Sequence, residues 1–491
     1  MKAVVLAGGE GTRLRPLTFT RPKPMLPLGP NPIIHYVLSH LSSNGFHDII
    51  IIVGYLKHQL MGYLGDGSQF GVRITYVVEP EGVAFGTAGS LKLAAHLLDE
   101  TFLVVQSDTI SEISLTEMAH FHSDRGGEVS IALTEVEDPS LYGVAVLGKR
   151  EEIVKFLEKP APGAAISSLA SAGFYILEPE VVDYIEDEKW DFARDLFPYL
   201  MRVGEHLFGF ASKSFWVDVG ELKGYLRGAG WVLRKLDQDA PTDARTLGNS
   251  EPPVFVRGNV RMGQRVQISG PSWFDNDVVI GDDVKIQPGT VLKEDSQVRS
   301  GTCIDQTVAF SHTEIGSNCS IKSTIIGERA MVGNNVTIDR AIIGQGCTIG
   351  DRAAILPGSR LWPNTRVEAD ATVDGIIAVP RDKSFYFDTG LGQYSGILAS
   401  SIGEFLEALK IVPLESLEYH IGRRDFEKWM KDVLGSIQLA DNIRTLRRSQ
   451  SKGEELRVQL IDYVMQWAEE VSSLRETSGQ QKRPNWPLTT L

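Results

Sequence analysis

Two stretches near the start of the chain carry residue types that hold phosphate. Leu6-Ala7-Gly8-Gly9-Glu10-Gly11-Thr12-Arg13 closes an apolar, β-branched run, Ala3–Leu6. Glycines placed where a strand ends let backbone N–H groups close on phosphate oxygens, and Arg13 sets a permanent cation in the same loop. Leu14 stands where the dinucleotide fingerprint needs its third glycine, so this loop is of a different kind. Shortly after comes Arg21-Pro22-Lys23-Pro24-Met25-Leu26-Pro27. Alternating prolines fix φ and bias the residues before them to an extended path, which aims Lys23 at one point. Next to the glycine loop, Lys23 is a candidate clamp on phosphate.

Further stretches follow in a fixed order: Phe85-Gly86-Thr87-Ala88-Gly89, Gln106-Ser107-Asp108, Tyr142-Gly143-Val144, Phe156-Leu157-Glu158-Lys159-Pro160, Ser171-Ala172-Gly173 and Trp216-Val217-Asp218-Val219-Gly220. With them, residues 1–235 resemble the sugar-nucleotide pyrophosphorylase family, whose members join a nucleoside triphosphate to a hexose-1-phosphate and release pyrophosphate. The run GGEGTRLRPLTFTRPKPMLP, followed by Asn31-Pro32-Ile33-Ile34, is most similar to the family's mannose-1-phosphate guanylyltransferase branch.

In that chemistry the sugar phosphate is already an anion, so in-line attack on the α-phosphorus needs positioning and charge neutralisation rather than a strong base. The resemblance implies that Asp108 and Asp218 share one Mg²⁺, since hard carboxylate oxygens suit an ion that also binds phosphate. It implies that Arg13 stabilises charge building on the α-phosphate, that Lys23 stabilises the departing pyrophosphate, and that Lys159 binds the sugar phosphate. Leu6, Ala7, Gly8, Gly9, Gly11, Thr12 and Arg13 would hold the nucleotide, with Gly86 and Thr87 flanking the base. Glu158 would accept hydrogen bonds from sugar hydroxyls, while Gly143, Ser171 and Gly173 line the sugar pocket.

Base and sugar rest on fewer residues. Glu79 ends the run Ile74–Val78. A carboxylate only accepts hydrogen bonds, and guanine offers two adjacent donors, N1–H and its amino group; uracil and thymine offer one donor between two acceptors, which an amide matches better. Glu79 therefore favours GTP. The Gly82–Phe85 segment is longer than the family's usual spacing, which leaves Glu81 as an alternative for the same role. Ser171 stands where the family usually has Asn, which bears on the hexose, and Ser107 stands where it usually has Gly, before Asp108. Glucose-1-phosphate with UTP or dTTP is the alternative substrate pair. A sensor of NDP-sugars without turnover is a further alternative, against which every charged catalytic position is filled.

These residues need a scaffold. Residues 1–237 alternate short β-branched runs with helical patterns, at Ala3–Leu6, Ile49–Val53, Ile74–Val78, Phe102–Val105 and Val129–Leu133, which predicts an α/β catalytic domain on a mostly parallel sheet. Sites in such sheets lie in loops at the carboxyl ends of strands. Gln238–Pro253, rich in Asp, Pro and Ser, reads as a linker. Over 254–380 the period changes to six with a few fives: Ile280, Ile286, Leu292, Val298, Ile304, Phe310, Ile315, Ile321, Ile326, Val332, Ile338, Ile343, Ile349, Ile355, Leu361, Val367 and Val373. A hexapeptide repeat predicts a left-handed parallel β-helix with one inward aliphatic per strand, and Gly, Asn and Asp at corners of positive φ. Ile280-Gly281, Ile315-Gly316 and Ile349-Gly350 fit such corners. Residues 381–477 carry amphipathic patterns at Ile402–Lys410, Arg424–Leu434 and Glu454–Leu474, which predict a small α-helical domain, frayed after Thr477.

Composition bounds the partners. The chain has 491 residues, enough for about three domains, and a net charge of −14, which speaks against a nucleic-acid footprint. Cys303, Cys319 and Cys347 lack the spacing of a zinc site or a disulfide scaffold, so a reducing cytoplasm is expected. No apolar stretch is long enough for a membrane span, and the N-terminal one is too brief for a signal sequence. The β-helix predicts homo-oligomers, because open coil edges must be capped or paired. Such helices also host acyltransferases that use a histidine base, and His312 is the only histidine in the repeat. A corner or solvent-facing role fits it better. The charged tail segments Glu418-Tyr419-His420 and Arg423-Arg424-Asp425-Phe426 read as helix-face ion pairs of a partner or regulatory module.

Overall fold

Stiff, branched side chains fit a pleated surface buried on both faces, and the apolar runs of the N-terminal half form such a sheet. The computed structural model describes residues 1–80, 85–161, 164–186, 189–248, 251–373, 379, 383–434, 437–449 and 451–472. Glu81, most of the lengthened Gly82–Phe85 segment, the 380/381 boundary and the end beyond Thr477 lie outside the described residues. By backbone proximity the chain forms two compact units, Met1–Leu14 with Thr18–Pro241, and Arg15–Leu17 with Thr242–Leu491.

In the first unit β1 (Lys2–Ala7) leads, through the small hairpin β2 (Pro27–Leu28) and β3 (Asn31–Pro32), to β4 (Asp48–Val53), β5 (Arg73–Val78) and β6 (Phe102–Gln106). β1 lies parallel between β4 and β6, and β5 extends β4, also parallel. The remaining strands are β7 (Thr109–Ser111), β8 (Val129–Glu135), β9 (Gly143–Leu147), β10 (Ile153–Glu158), β11 (Leu169–Leu177), β12 (Leu207–Ser212) and β13 (Trp216–Asp218). The expected strands are present, each longer than its apolar run by one or two residues. The sheet is parallel around β1, whereas β11 enters antiparallel to β6, β8 and β9, and β10 is antiparallel to β9. Antiparallel neighbours need only a turn between them, and Gly148–Glu152 supplies it between β9 and β10. A continuous apolar core that includes Val4, Ile52, Val104, Ile131 and Tyr175 packs beside the sheet. Burying each such aliphatic stabilises the fold by roughly 1.5–3 kcal/mol.

The second unit winds three sheets whose strands pair in parallel with the third one after them, except that Ala244–Thr246, within the expected linker, adds an antiparallel edge strand beside Val254–Arg257. Ile280 lies beside Val298 and Ile315 beside Val332, so a coil takes 18 residues when its sides are six long and 17 when one is five. The inward column runs from Val256, in register with Phe274, to Val367, with Val373 partly buried against it. At one step the inward residue is Ala309 rather than Phe310, because Ala309 is the residue in register with Leu292 and Ile326.

Asn, Asp and Gly do take positive φ at corners such as Asn318, Asn335, Asp283 and Gly346, but the Ile-Gly pairs do not supply them. Gly281, Gly316 and Gly350 do not have positive φ; a Cβ on Gly281 would meet the Ser300 backbone nitrogen at 2.7 Å, and Cβ atoms on the other two would likewise strike the next coil. Close stacking of coils requires these glycines. Left-handed backbone sits two residues later, at Asp283, Asn318 and Arg352, and elsewhere at Arg329, Ser323 and Gln306. His312 occupies such a corner with φ 59°, half-exposed, its Nδ1 3.3 Å from Asp295.

After the coils an antiparallel hairpin, Phe385–Gly390 with Gln393–Ala399, precedes the helices, a feature the helical periodicity did not indicate. Helices span Ile402–Ile411, Leu414–Arg423, Ile437–Ser449 and Gly453–Ser472. The expected helix at Arg424–Leu434 starts at Asp425, with Arg424 left-handed (φ 66°), and widens to a π turn at Trp429–Val433. Phe385 of the hairpin stacks on Phe426 and meets Phe405 and Trp429 edge-on, and buried His420 bonds Asp425 at 2.9 Å. No described helix is long and apolar enough to cross a membrane.

Candidate active site

Strand ends bring the charged residues together. The ribbon of β7 and β13 sets Thr109 opposite Asp218, and the Val219 N–H bonds the Asp108 carbonyl at 3.0 Å. Both carboxylates therefore open from one place. Lys23 reaches the same place from a short turn, Lys23–Met25, entered through extended Pro22 (φ −64°, ψ 144°). Its side chain is nearly buried, and Nζ bonds Asp108 Oδ2 and lies 3.7 Å from Asp218 Oδ1. Arg13 Nη2 bonds Asp218 Oδ2 at 3.2 Å. Gly11, with φ 63°, lets the loop turn against the stem of Lys23, whose Cβ a side chain at Gly11 would meet at 2.9 Å.

The electrostatics of the cluster are lopsided. Burial pushes the Asp218 carboxyl up, but Lys23, Arg13 and the Gly220 N–H at 2.7 Å outweigh it and hold Asp218 below the usual range. The Arg13 guanidinium is raised by Asp218, against desolvation, with further help from Asp108. Lys23 already places one positive charge between two carboxylates. Hard-oxygen donors facing one another around a cation position fit a divalent ion such as Mg²⁺. Among the described residues no group of three or more His, Cys, Asp or Glu could hold a metal; Asp108 and Asp218 are the two carboxylates that would hold one here.

The glycine loop opens above this cluster. Leu6 lies at the end of β1, where its carbonyl accepts from the Ser107 N–H at 3.2 Å, and Ala7 ends the strand. Gly9 is exposed with open space where a Cβ would point, and Thr12 and Arg13 follow in a short turn. Glu79 continues β5, its N–H bonding the Val53 carbonyl at 2.9 Å, and its carboxylate lies against the Cα atoms of Gly8 and Gly54. Ser90 Oγ donates to it at 2.5 Å and also faces the Gly86 carbonyl at 2.8 Å. Gly86, with φ 67°, packs on the Trp190 carbonyl, while the Thr87 N–H and hydroxyl both bond Asp191 at 3.0 and 3.2 Å. Thr87 thus helps to anchor the segment carrying Trp190 and Asp191.

The third group gathers across β9, β10 and β11. Gly143 pairs with Glu158, and a side chain there would strike both Phe156 and the Glu158 carboxyl. Burial raises the Glu158 carboxyl, opposed by Lys159 and Arg194. Lys159 adopts φ 41°, with Nζ exposed and 4.0 Å from Glu158. Ser171 sits at a bulge in β11, where its hydroxyl bonds the Tyr175 hydroxyl at 3.2 Å; burial pushes that phenol up to about 12. Gly173 has φ 77° and lets β11 close on Gln106. The Trp216 indole N–H bonds the Ala172 carbonyl at 2.8 Å, which ties this bulge to the strand bearing Asp218.

The residues expected from the sequence therefore come from strand ends, short turns, the helix Gly86–Lys92 and the interior of β11, all within one unit. Sequence reasoning missed Ser90, Gly54 and Asp191, whose roles come from contacts across elements. Gly220 stood inside a quoted stretch; its N–H bonds Asp218 at 2.7 Å, and a Cβ there would meet Arg13 Nη2 at 2.6 Å.

Residues 2–234 match the family described as Nucleotidyl transferase, and residues 255–377 the one described as GMPPB C-terminal domain. The chain is 33% identical over 330 residues to a UTP–glucose-1-phosphate uridylyltransferase of Synechocystis sp., covering 64% of this chain and 84% of that protein. It is 38% identical over 260 residues to a mannose-1-phosphate guanyltransferase of Saccharomyces cerevisiae, covering 51% and 71%. Over 322 residues it is 33% identical to mannose-1-phosphate guanylyltransferase 1 of Arabidopsis thaliana, covering 64% and 88%.

Proposed function

Because the chain belongs to the nucleotidyl transferase family and is a sugar-1-phosphate nucleotidyltransferase, we propose that it makes GDP-mannose from GTP and mannose-1-phosphate, releasing pyrophosphate. The observation that carries the choice of base is Glu79, an acceptor-only group against the glycine loop. Similarity to the yeast and Arabidopsis guanylyltransferases supports it. The second reading, glucose-1-phosphate with UTP, is favoured by similarity to the Synechocystis uridylyltransferase.

In this reading the backbone of Leu6–Thr12 cradles the triphosphate and Arg13 neutralises charge that builds on the α-phosphate. Lys23 holds the pyrophosphate that leaves, and Lys159 the phosphate of the incoming sugar, whose hydroxyls Glu158 and the backbones at Gly143 and Gly173 receive. Asp108 and Asp218 would hold Mg²⁺, which supplies charge neutralisation of the phosphates when bound. No general base is required, since the attacking phosphate oxygen is already anionic. The β-helix would join copies of the chain.

Replacing Glu79 by Gln puts a donor against guanine's donors, a mismatch that costs roughly 1–3 kcal/mol. Glu79→Gln is expected to lose GTP activity by about 10- to 100-fold and to spare or improve UTP and dTTP, measured as pyrophosphate release. An equal loss with every nucleotide would remove Glu79 from base recognition.

A further inference from the structure

We propose that Ser90 sets nucleotide choice by holding Glu79, an inference that rests on the reading of Glu79 as the base-facing acceptor. Glu79 directly follows β5 and Ser90 lies in the helix Gly86–Lys92, so their bond ties the residue after a strand to a helix that starts at Gly86. The Ser90 side chain is almost fully buried. Its hydroxyl has one proton and faces two acceptors, Glu79 Oε1 at 2.5 Å and the Gly86 carbonyl at 2.8 Å. Serine in a helix interior commonly satisfies itself on the carbonyl four residues back. Here the carboxylate competes for that proton, so one oxygen links Glu79 to the backbone of Gly86.

The consequence is orientational. Oε1 is held by Ser90, and the carboxyl group also lies against the Cα atoms of Gly8 and Gly54. These two restraints limit how far the carboxylate plane can turn. Two adjacent donors on a base are matched only by a carboxylate whose two oxygens are presented together, so the restraint favours such a base over one offering a single donor. Ser90 acts through Glu79 and is a positioning residue. Its loss should weaken recognition of the preferred base without slowing the chemical step at saturation.

The test is a double-mutant cycle with Ser90→Ala and Glu79→Gln, read as kcat and KM for GTP, ATP, UTP and dTTP with each protein's best sugar phosphate. Alanine is the stronger helix former, so Ser90→Ala is expected to fold. It should lower the GTP-to-UTP ratio of kcat/KM by about 10-fold, mainly through KM, as for loss of a hydrogen bond to a charged group. Ser90→Thr, which keeps the hydroxyl, should restore much of the ratio, and Ser90→Ala should change nothing further in the Glu79→Gln background. Unchanged ratios in Ser90→Ala, or the same change in both backgrounds, would overturn the inference. Wild-type preference for UTP or dTTP would count against the guanine reading alone; dependence of the Ser90 effect on Glu79 would still decide the role of Ser90.

Discussion

Asp218 is the residue on which the site converges. It meets Arg13, Lys23 and the Gly220 N–H, and it lies beside the backbone of Asp108. Asp108→Asn and Asp218→Asn should each lower turnover by at least on the order of 10²-fold, as expected for loss of transition-state electrostatics. Turnover like that of the unaltered chain in both variants, read as pyrophosphate release, would remove the metal assignment. The same residue gives a pH signature. Its carboxyl is held below the usual range, so its stabilising contribution is complete above the ordinary carboxylate value and is lost as pH falls through the depressed one. Asp218→Asn should remove that part of the acid limb of stability. Arg13 and Lys23 stood out in stretches with their own local chemistry, whereas Asp108 and Asp218 were picked out only through the family resemblance. Ser90 was not, since its partner Glu79 lies on another element and a helical serine carries no signal of its own.

Elements were legible where periodicity is strong. Five strands of the α/β domain and the column of the β-helix follow from β-branched runs and a period of six. Topology beyond β6 was not, because an apolar run reads alike in parallel and antiparallel pairs. The hairpin Phe385–Ala399 was hidden by aromatic residues that serve equally as a helix core. Corners carried the most instructive error: Gly316 is required by the backbone of the next coil, while positive φ falls to Asn318. Gly316→Ala is therefore expected to destabilise the β-helix by about 1–3 kcal/mol, as in overpacking, whereas Asn318→Gly should be close to neutral. Calorimetric melting of the two variants checks this; equal losses would return the φ explanation.

At the scale of the whole molecule, the first unit has its own apolar core and a complete set of candidate catalytic residues, and the second supplies a long stack of coils. A chain truncated after Gln238 should stay folded and form particles with fewer subunits than the full chain. Light scattering reads this directly, and a full-length protein that is itself monomeric would refute assembly through the coils. The central claim is the reaction and its substrates, and its most direct test is pyrophosphate release by the full chain with Mg²⁺, across four nucleoside triphosphates and mannose-, glucose- and galactose-1-phosphate. GTP with mannose-1-phosphate should give the highest kcat/KM. A maximum with UTP or dTTP and glucose-1-phosphate would contradict the guanylyl assignment, and tight binding of an NDP-sugar without turnover of any pair would contradict catalysis itself.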